Sequence, residues 1–292
     1  MKECIFEGSA VALVTPFSNN KINYEKLGEL IEYQINNGTD AIVICGSTGE
    51  ASTLNNEEHL DCLKYAVKKA NKRVPIIAGV GSNDTEHAVY LSKEAEKIGV
   101  NALLSVVPYY NKPTQKGIYE HFKAISKNVH TPIILYNVPS RTSVSISPQT
   151  VKELAKLENI VGIKECIFNN VGKHIKNCPS DFSVYSGEDG NVLATMALGA
   201  KGVVSVVANI MPREMKELTQ CVFDKKFERA QELQLNILDL VDSLFCEPSP
   251  APIKEAMNYL GMDVGVCRLP LVEMSKSNKE NLIEVMKKTM DV

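Results

Sequence analysis

At 292 residues the chain has room for one large α/β domain with an appendage, or for two ordinary domains. Its 44% hydrophobic and 23% charged content excludes a disordered chain, and a net charge of -3 gives no electrostatic basis for holding nucleic acid or an anionic membrane surface. The opening MKECIFEGSA has no apolar core of signal-peptide length, and no later run approaches the roughly 18 apolar residues of a membrane span, so a cytoplasmic protein is expected.

In chain order, short runs rich in Val, Ile and Leu recur through the first two thirds. They are AVALVTPF (10–17), DAIVICG (40–46), PIIAGVG (75–81), NALLSVVP (101–108), PIILYNVP (132–139), IVGIKE (160–165), FSVYSG (182–187) and GVVSVVAN (202–209). Each is continuous rather than alternating, the pattern of a strand buried on both faces. Amphipathic stretches of helical period lie between them, such as EEHLDCLKYAVKKANK (57–72) and AVYLSKEAEKIG (88–99). Eight strand–helix units predict a (β/α)8 TIM barrel. A doubly wound sheet is the alternative, but no GxGxxG follows the first run.

After residue 224 the apolar runs stop. FERAQELQLNILDLVDSLF (227–245) predicts one long amphipathic helix, PSPAP (248–252) a rigid break, and two further helices are expected near 253–260 and 279–290. Residues 1–224 are thus expected to form the catalytic barrel and 225–292 a C-terminal helical extension. That extension either covers the barrel's own flank or packs on a neighbouring chain.

The eight cysteines are scattered without a CxxC pair, and the five histidines form no HxH or HExxH arrangement. Free thiols and no metal are expected. Carbonyl chemistry, if present, is then left to an amine.

Barrel enzymes carry functional side chains where strands end and the next loops begin. The sixth run delivers Lys164 directly after Ile160-Val161-Gly162-Ile163. Burial disfavours a lysine's ammonium form and supplies the free amine that attacks a ketone, whereas a strand-end lysine paired with Glu165 in solvent would be ordinary. Tyr136 ends the fifth run and in a barrel is the neighbour of Lys164. A phenol there can shuttle the protons of imine formation, or it can simply pack its ring at the barrel mouth. The second run ends in Gly46-Ser47-Thr48-Gly49-Glu50. Its glycines allow backbone N–H groups to converge on a carboxylate, with a helix N-terminus behind them, and Ser47 and Thr48 add hydroxyls; the other reading is that one of them caps the helix. Arg141 is one of only five arginines among 32 basic residues. It suits a bidentate carboxylate clamp or a surface bridge to a nearby loop.

The ordered set GSTGE (46–50), PYYNKPTQ (108–115), YNVPSRT (136–142), GIKE (162–165), SGED (186–189) and GVVSV (202–206) resembles the dihydrodipicolinate synthase/N-acetylneuraminate lyase family over essentially the whole chain. The resemblance implies Lys164 as the Schiff-base lysine and Tyr136 as proton donor and acceptor. It implies Ser47 as the link to a second tyrosine, Tyr110, which in such enzymes comes from the adjoining subunit. Thr48 would hold the carboxylate of pyruvate, Val204 and Gly187 would line the pyruvate pocket, and Arg141 would bind the carboxylate of L-aspartate 4-semialdehyde. Pyruvate and that aldehyde are then the implied partners, no cofactor is required, and a homotetramer built as a dimer of dimers is the implied assembly. A sialic-acid or 2-keto-3-deoxy sugar-acid lyase is the alternative within the family, disfavoured by the intact YNVPSRT arginine. A retired, ligand-binding relative is the alternative outside catalysis. Regulated relatives bind lysine at a dimer-interface site that Asn83, Tyr109 and His59 resemble. His87 stands where regulated bacterial members have a glutamate, and Ala51 and Asn56 also depart, so weak or absent feedback is expected.

Overall fold

Ten strands form within residues 2–290, the part of the chain that this computed structural model describes. They are β1 (Gly8–Ala12), β2 (Phe17–Ser18), β3 (Lys21–Ile22), β4 (Ala41–Ile44), β5 (Ile76–Gly79), β6 (Ala102–Val106), β7 (Ile133–Asn137), β8 (Ile160–Glu165), β9 (Ser183–Ser186) and β10 (Gly202–Ser205). The eight apolar runs are the eight long strands, and these close into a parallel barrel in chain order, β10 returning to β1. β2 and β3 are a separate antiparallel pair. Closure explains why the runs do not alternate. Ala10, Ala41, Ile77, Ala102 and Ile134 fill the inside, while Ile42, Ile76, Leu103, Ile133 and Ile163 pack outward on the helices. The end where strands begin is plugged by Ile5 and Phe6, the Phe6 ring stacking on buried Tyr185 at 4.3 Å. The closed barrel with its C-terminal helices is the fold expected, and the doubly wound alternative is set aside.

Two local readings change. The stretch 227–245 is not one helix but two, Phe227–Asn236 and Leu238–Leu244. The first follows the helix Pro212–Phe223 on the barrel flank, and the second turns to pack on the helix Lys276–Met290. One straight apolar stripe cannot serve both surfaces, so the helix breaks at Ile237. The α-helix after GSTGE starts only at Asn56, behind a 3-10 turn at Ala51–Thr53. Asn55 caps it, its side chain accepting from the Glu58 N–H at 2.9 Å, so neither Ser47 nor Thr48 is a cap and no α-helix dipole backs their loop directly.

That loop is held instead by the C-terminal extension. Glu50 sits at φ 54°, and its carboxylate meets Lys254 Nζ at 2.5 Å and the Arg268 N–H at 2.9 Å. The Glu50 and Lys254 side chains are both 1% exposed, and Lys254 lies over the Phe17 ring. Breaking a buried pair strands the remaining charge. Lys254→Met is therefore expected to cost about 3–5 kcal/mol in a denaturant titration. A loss below about 1 kcal/mol would mean that the pair behaves as a solvated surface bridge.

Candidate active site

Adjacent parallel strands put paired residues side by side, and β7 and β8 pair Tyr136 with Lys164. Both side chains turn inward at the mouth, Lys164 6% and Tyr136 7% exposed, with the lysine Nζ 4.4 Å from the centre of the phenol ring. Successive strand residues face opposite sides, so Glu165 points outward. There its carboxylate accepts from Asn137 Nδ2 at 2.9 Å and from the Ile167 N–H at 2.8 Å, and lies 2.8 Å from His174 Nε2. The reading of Lys164 as a solvated partner of Glu165 is thereby removed. Gly162, two residues earlier, is required by β9, because a Cβ there would come within 2.5 Å of the Ser183 carbonyl oxygen.

A cavity of about 520 Å³ opens over this pair and gathers Ser47, Thr48, Tyr136, Arg141, Lys164 and Gly187. Burial raises the Tyr136 pKa, with Lys164, Arg141 and Ser47 acting the other way. The phenol is therefore protonated near neutral pH and enters the chemistry as a donor. Thr48 is buried, and its loop is braced from below by the Thr15 hydroxyl, which donates to the Gly49 carbonyl at 2.6 Å. Arg141 projects from the short helix Pro139–Thr142, and its Nη2 donates to the Ser249 carbonyl at 3.1 Å. The segment read only as a rigid break thus forms part of the rim.

Two predicted residues lie elsewhere. Val204 is packed inside the barrel with Tyr136, Val161 and Tyr185, and Val206, two residues on and one pleat nearer the mouth, lines the cavity. Tyr110 is 87% exposed at φ 70° and is outside this cavity. Cys166, Glu188 and Ser249 also line it. Cys166 is two residues beyond Lys164 on the same strand face and Glu188 follows Gly187, so strand period and the SGED motif carried both signals. Nothing local marked Ser249.

A closed parallel barrel with a desolvated amine and a phenol paired at its mouth is the constellation of a class I, Schiff-base-forming lyase. The comparisons narrow this. A model of the Dihydrodipicolinate synthetase family matches residues 5–289. The chain is 56% identical over 287 residues to 4-hydroxy-tetrahydrodipicolinate synthase of Acetivibrio thermocellus, covering 98% of each chain. It is 48% identical to the enzyme of the same name from Clostridium novyi, covering 98% of this chain and 96% of that one. The crystal structure of dihydrodipicolinate synthase from Aquifex aeolicus superposes with a TM-score of 0.95 at 50% identity, covering 97% of this chain and 98% of that one. The chain belongs to the dihydrodipicolinate synthetase family.

Proposed function

We infer that this chain condenses pyruvate with L-aspartate 4-semialdehyde to 4-hydroxy-tetrahydrodipicolinate, a committed step of diaminopimelate and lysine biosynthesis. The single observation that carries the reading is the Tyr136–Lys164 pairing, with Arg141 on the same cavity. Pyruvate forms an imine with Lys164 while the Thr48 loop holds its carboxylate. The Tyr136 phenol supplies the proton that lets water leave, and the imine becomes an enamine. Its carbon attacks the aldehyde held through its carboxylate by Arg141, and the substrate's own amine then displaces Lys164 and closes the ring. Gly187 and Val206 line the cavity around the proposed pyruvate position. The test is borohydride reduction in the presence of pyruvate followed by peptide mass mapping: the added mass is expected on Lys164. Mass on another lysine would overturn the assignment.

Tyr136→Phe removes the proton while keeping the ring. A fall in kcat of about 10²–10⁴-fold is expected, with slower formation of the trapped adduct. Adduct formation at the parent rate would show that another group moves these protons.

Tyr110 lies outside the cavity of its own chain and is highly exposed, which supports a site completed by Tyr110 of a second copy through Ser47. We propose a homotetramer, a dimer of dimers, as the working assembly, although one structural relative at 38% identity is described as a monomeric dihydrodipicolinate synthase variant. Eight free cysteines support a cytoplasmic setting. No helix among the described residues is long and apolar enough to cross a membrane.

A second cavity of about 440 Å³ adjoins the first through Ser47 and Tyr136 and is lined by His59, His87, Asn56 and Tyr109. His87 Nε2 lies 3.0 Å from Asn56 Oδ1 and its Nδ1 3.4 Å from Ser82 Oγ. These side chains engage one another, and Glu50, the carboxylate that lines the same cavity, is held by Lys254 and the Arg268 N–H rather than offered to a lysine ammonium. Lysine is expected to inhibit weakly or not at all in initial-rate assays, and His87→Glu is expected to tighten inhibition by about 10-fold or more. Strong inhibition of the parent protein would defeat this expectation.

A further inference from the structure

The cavity holds a carboxylate for which the steps above have no use. Glu188 lines it together with Lys164, Arg141 and Ser249 and, among the described residues, forms no ion pair. The neighbouring acids are committed elsewhere. Asp189 is 2% exposed, and its carboxylate accepts the N–H groups of Val206 at 2.9 Å and Val207 at 3.2 Å. Glu247, also on this cavity, accepts from Ser275 and from Asn278 Nδ2. Glu188 itself is set in place by its backbone: the Ser186 hydroxyl donates to its carbonyl at 2.9 Å and accepts its N–H at 3.3 Å.

The amino-aldehyde proposed as second substrate brings one carboxylate, one aldehyde and one ammonium. Arg141 accounts for the first and the Lys164 enamine for the second. The ammonium needs an anion beside it, and it must then lose a proton, because only the free amine can attack the Lys164 imine. We infer that Glu188 binds the substrate's ammonium and is the base that deprotonates it for ring closure. This rests on the substrate reading given above.

The step balances without an oxidant or reductant. The ammonium passes one proton to the Glu188 carboxylate, and the freed amine adds to the imine carbon, forming a new C–N bond. A proton moves from the incoming nitrogen to the lysine nitrogen and the old C–N bond breaks, leaving the cyclic imine protonated. The proton held on Glu188 then returns to the released lysine amine. Burial raises the Glu188 pKa, opposed by Cys166, Lys164 and Arg141, which suits a carboxylate asked to take a proton from an amine.

The experiment compares two aldehydes in the full-length protein. One is L-aspartate 4-semialdehyde, followed by steady-state turnover. The other is 4-oxobutanoate, which keeps the carboxylate and aldehyde but lacks the amine, followed as the borohydride-trapped adduct on Lys164 that carries both pyruvate and aldehyde carbons. In Glu188→Gln the ratio of the first rate to the second is expected to fall by about 100-fold, with partial recovery in Glu188→Asp. A merely structural role would depress both rates together. An equal loss on both aldehydes, or no loss on either, would overturn the proposal. If the parent enzyme traps pyruvate yet leaves L-aspartate 4-semialdehyde unconsumed, the substrate reading fails and the Glu188 role falls with it. That result is read on the parent, whereas a failure of Glu188 alone appears only in the variant ratio.

Discussion

Lys164→Ala is expected to form no borohydride-stable pyruvate adduct and to lose kcat/KM by at least about 10³-fold. The size follows from the absence of any substitute amine. Among the described residues the buried lysines are Lys164 and Lys254, and Lys254 is engaged with Glu50 and turned onto the Phe17 ring. A surface lysine cannot be carried to the barrel mouth. The variant should also keep its fold. Glu165, the next residue on β8, holds its Asn137 and His174 contacts on the opposite face, and those do not depend on the Lys164 side chain. Peptide mapping after reduction, turnover and a thermal midpoint measured on the same preparation separate lost chemistry from lost structure. Retention of an adduct on a different lysine would place the imine elsewhere.

The reach of the sequence differed between the barrel and its rim for a physical reason. A strand buried on both faces writes its burial into consecutive residues, so the order of apolar runs already brought Tyr136 next to Lys164. The β7–β8 register realises that neighbourhood. Depth along a strand is harder to read: Val204 and Val206 share a face, and only closure of the barrel decides which of them reaches the cavity. Contacts between distant segments leave no local mark at all. Glu50 is secured by Lys254 and Arg268 from the C-terminal extension, Arg141 rests on the Ser249 carbonyl, and neither partner is spaced or patterned to announce it. The break at Ile237 has the same origin. The apolar stripe of 227–245 is continuous in the sequence, and the break arises because its two halves pack on different helices.

Those long-range contacts bear on Arg141, the residue proposed to select the second substrate. Arg141→Ala is expected to leave pyruvate adduct formation on Lys164 intact while lowering kcat/KM for L-aspartate 4-semialdehyde by about 10²–10³-fold, equivalent to about 3–4 kcal/mol. The two halves of the reaction are expected to separate because Arg141 stands at the rim, where among the described residues its side chain's one hydrogen bond runs from Nη2 to the Ser249 carbonyl, whereas the proposed pyruvate contacts, Lys164 and the Thr48 loop, are buried. Among the described residues its remaining side-chain donors have no hydrogen-bond partner, which suits them to take a carboxylate in two parallel hydrogen bonds. A lysine keeps the charge but offers only a single point contact, so Arg141→Lys is expected to recover a minor part of the loss. The decisive comparison uses aldehydes with and without a carboxylate. If Arg141 reads that group, the penalty in Arg141→Ala falls on the carboxylate-bearing aldehyde and is nearly absent for the other. An equal penalty on both would reduce Arg141 to a support for the Ser249 segment and would reopen the choice between an amino-aldehyde and a sugar-derived second substrate.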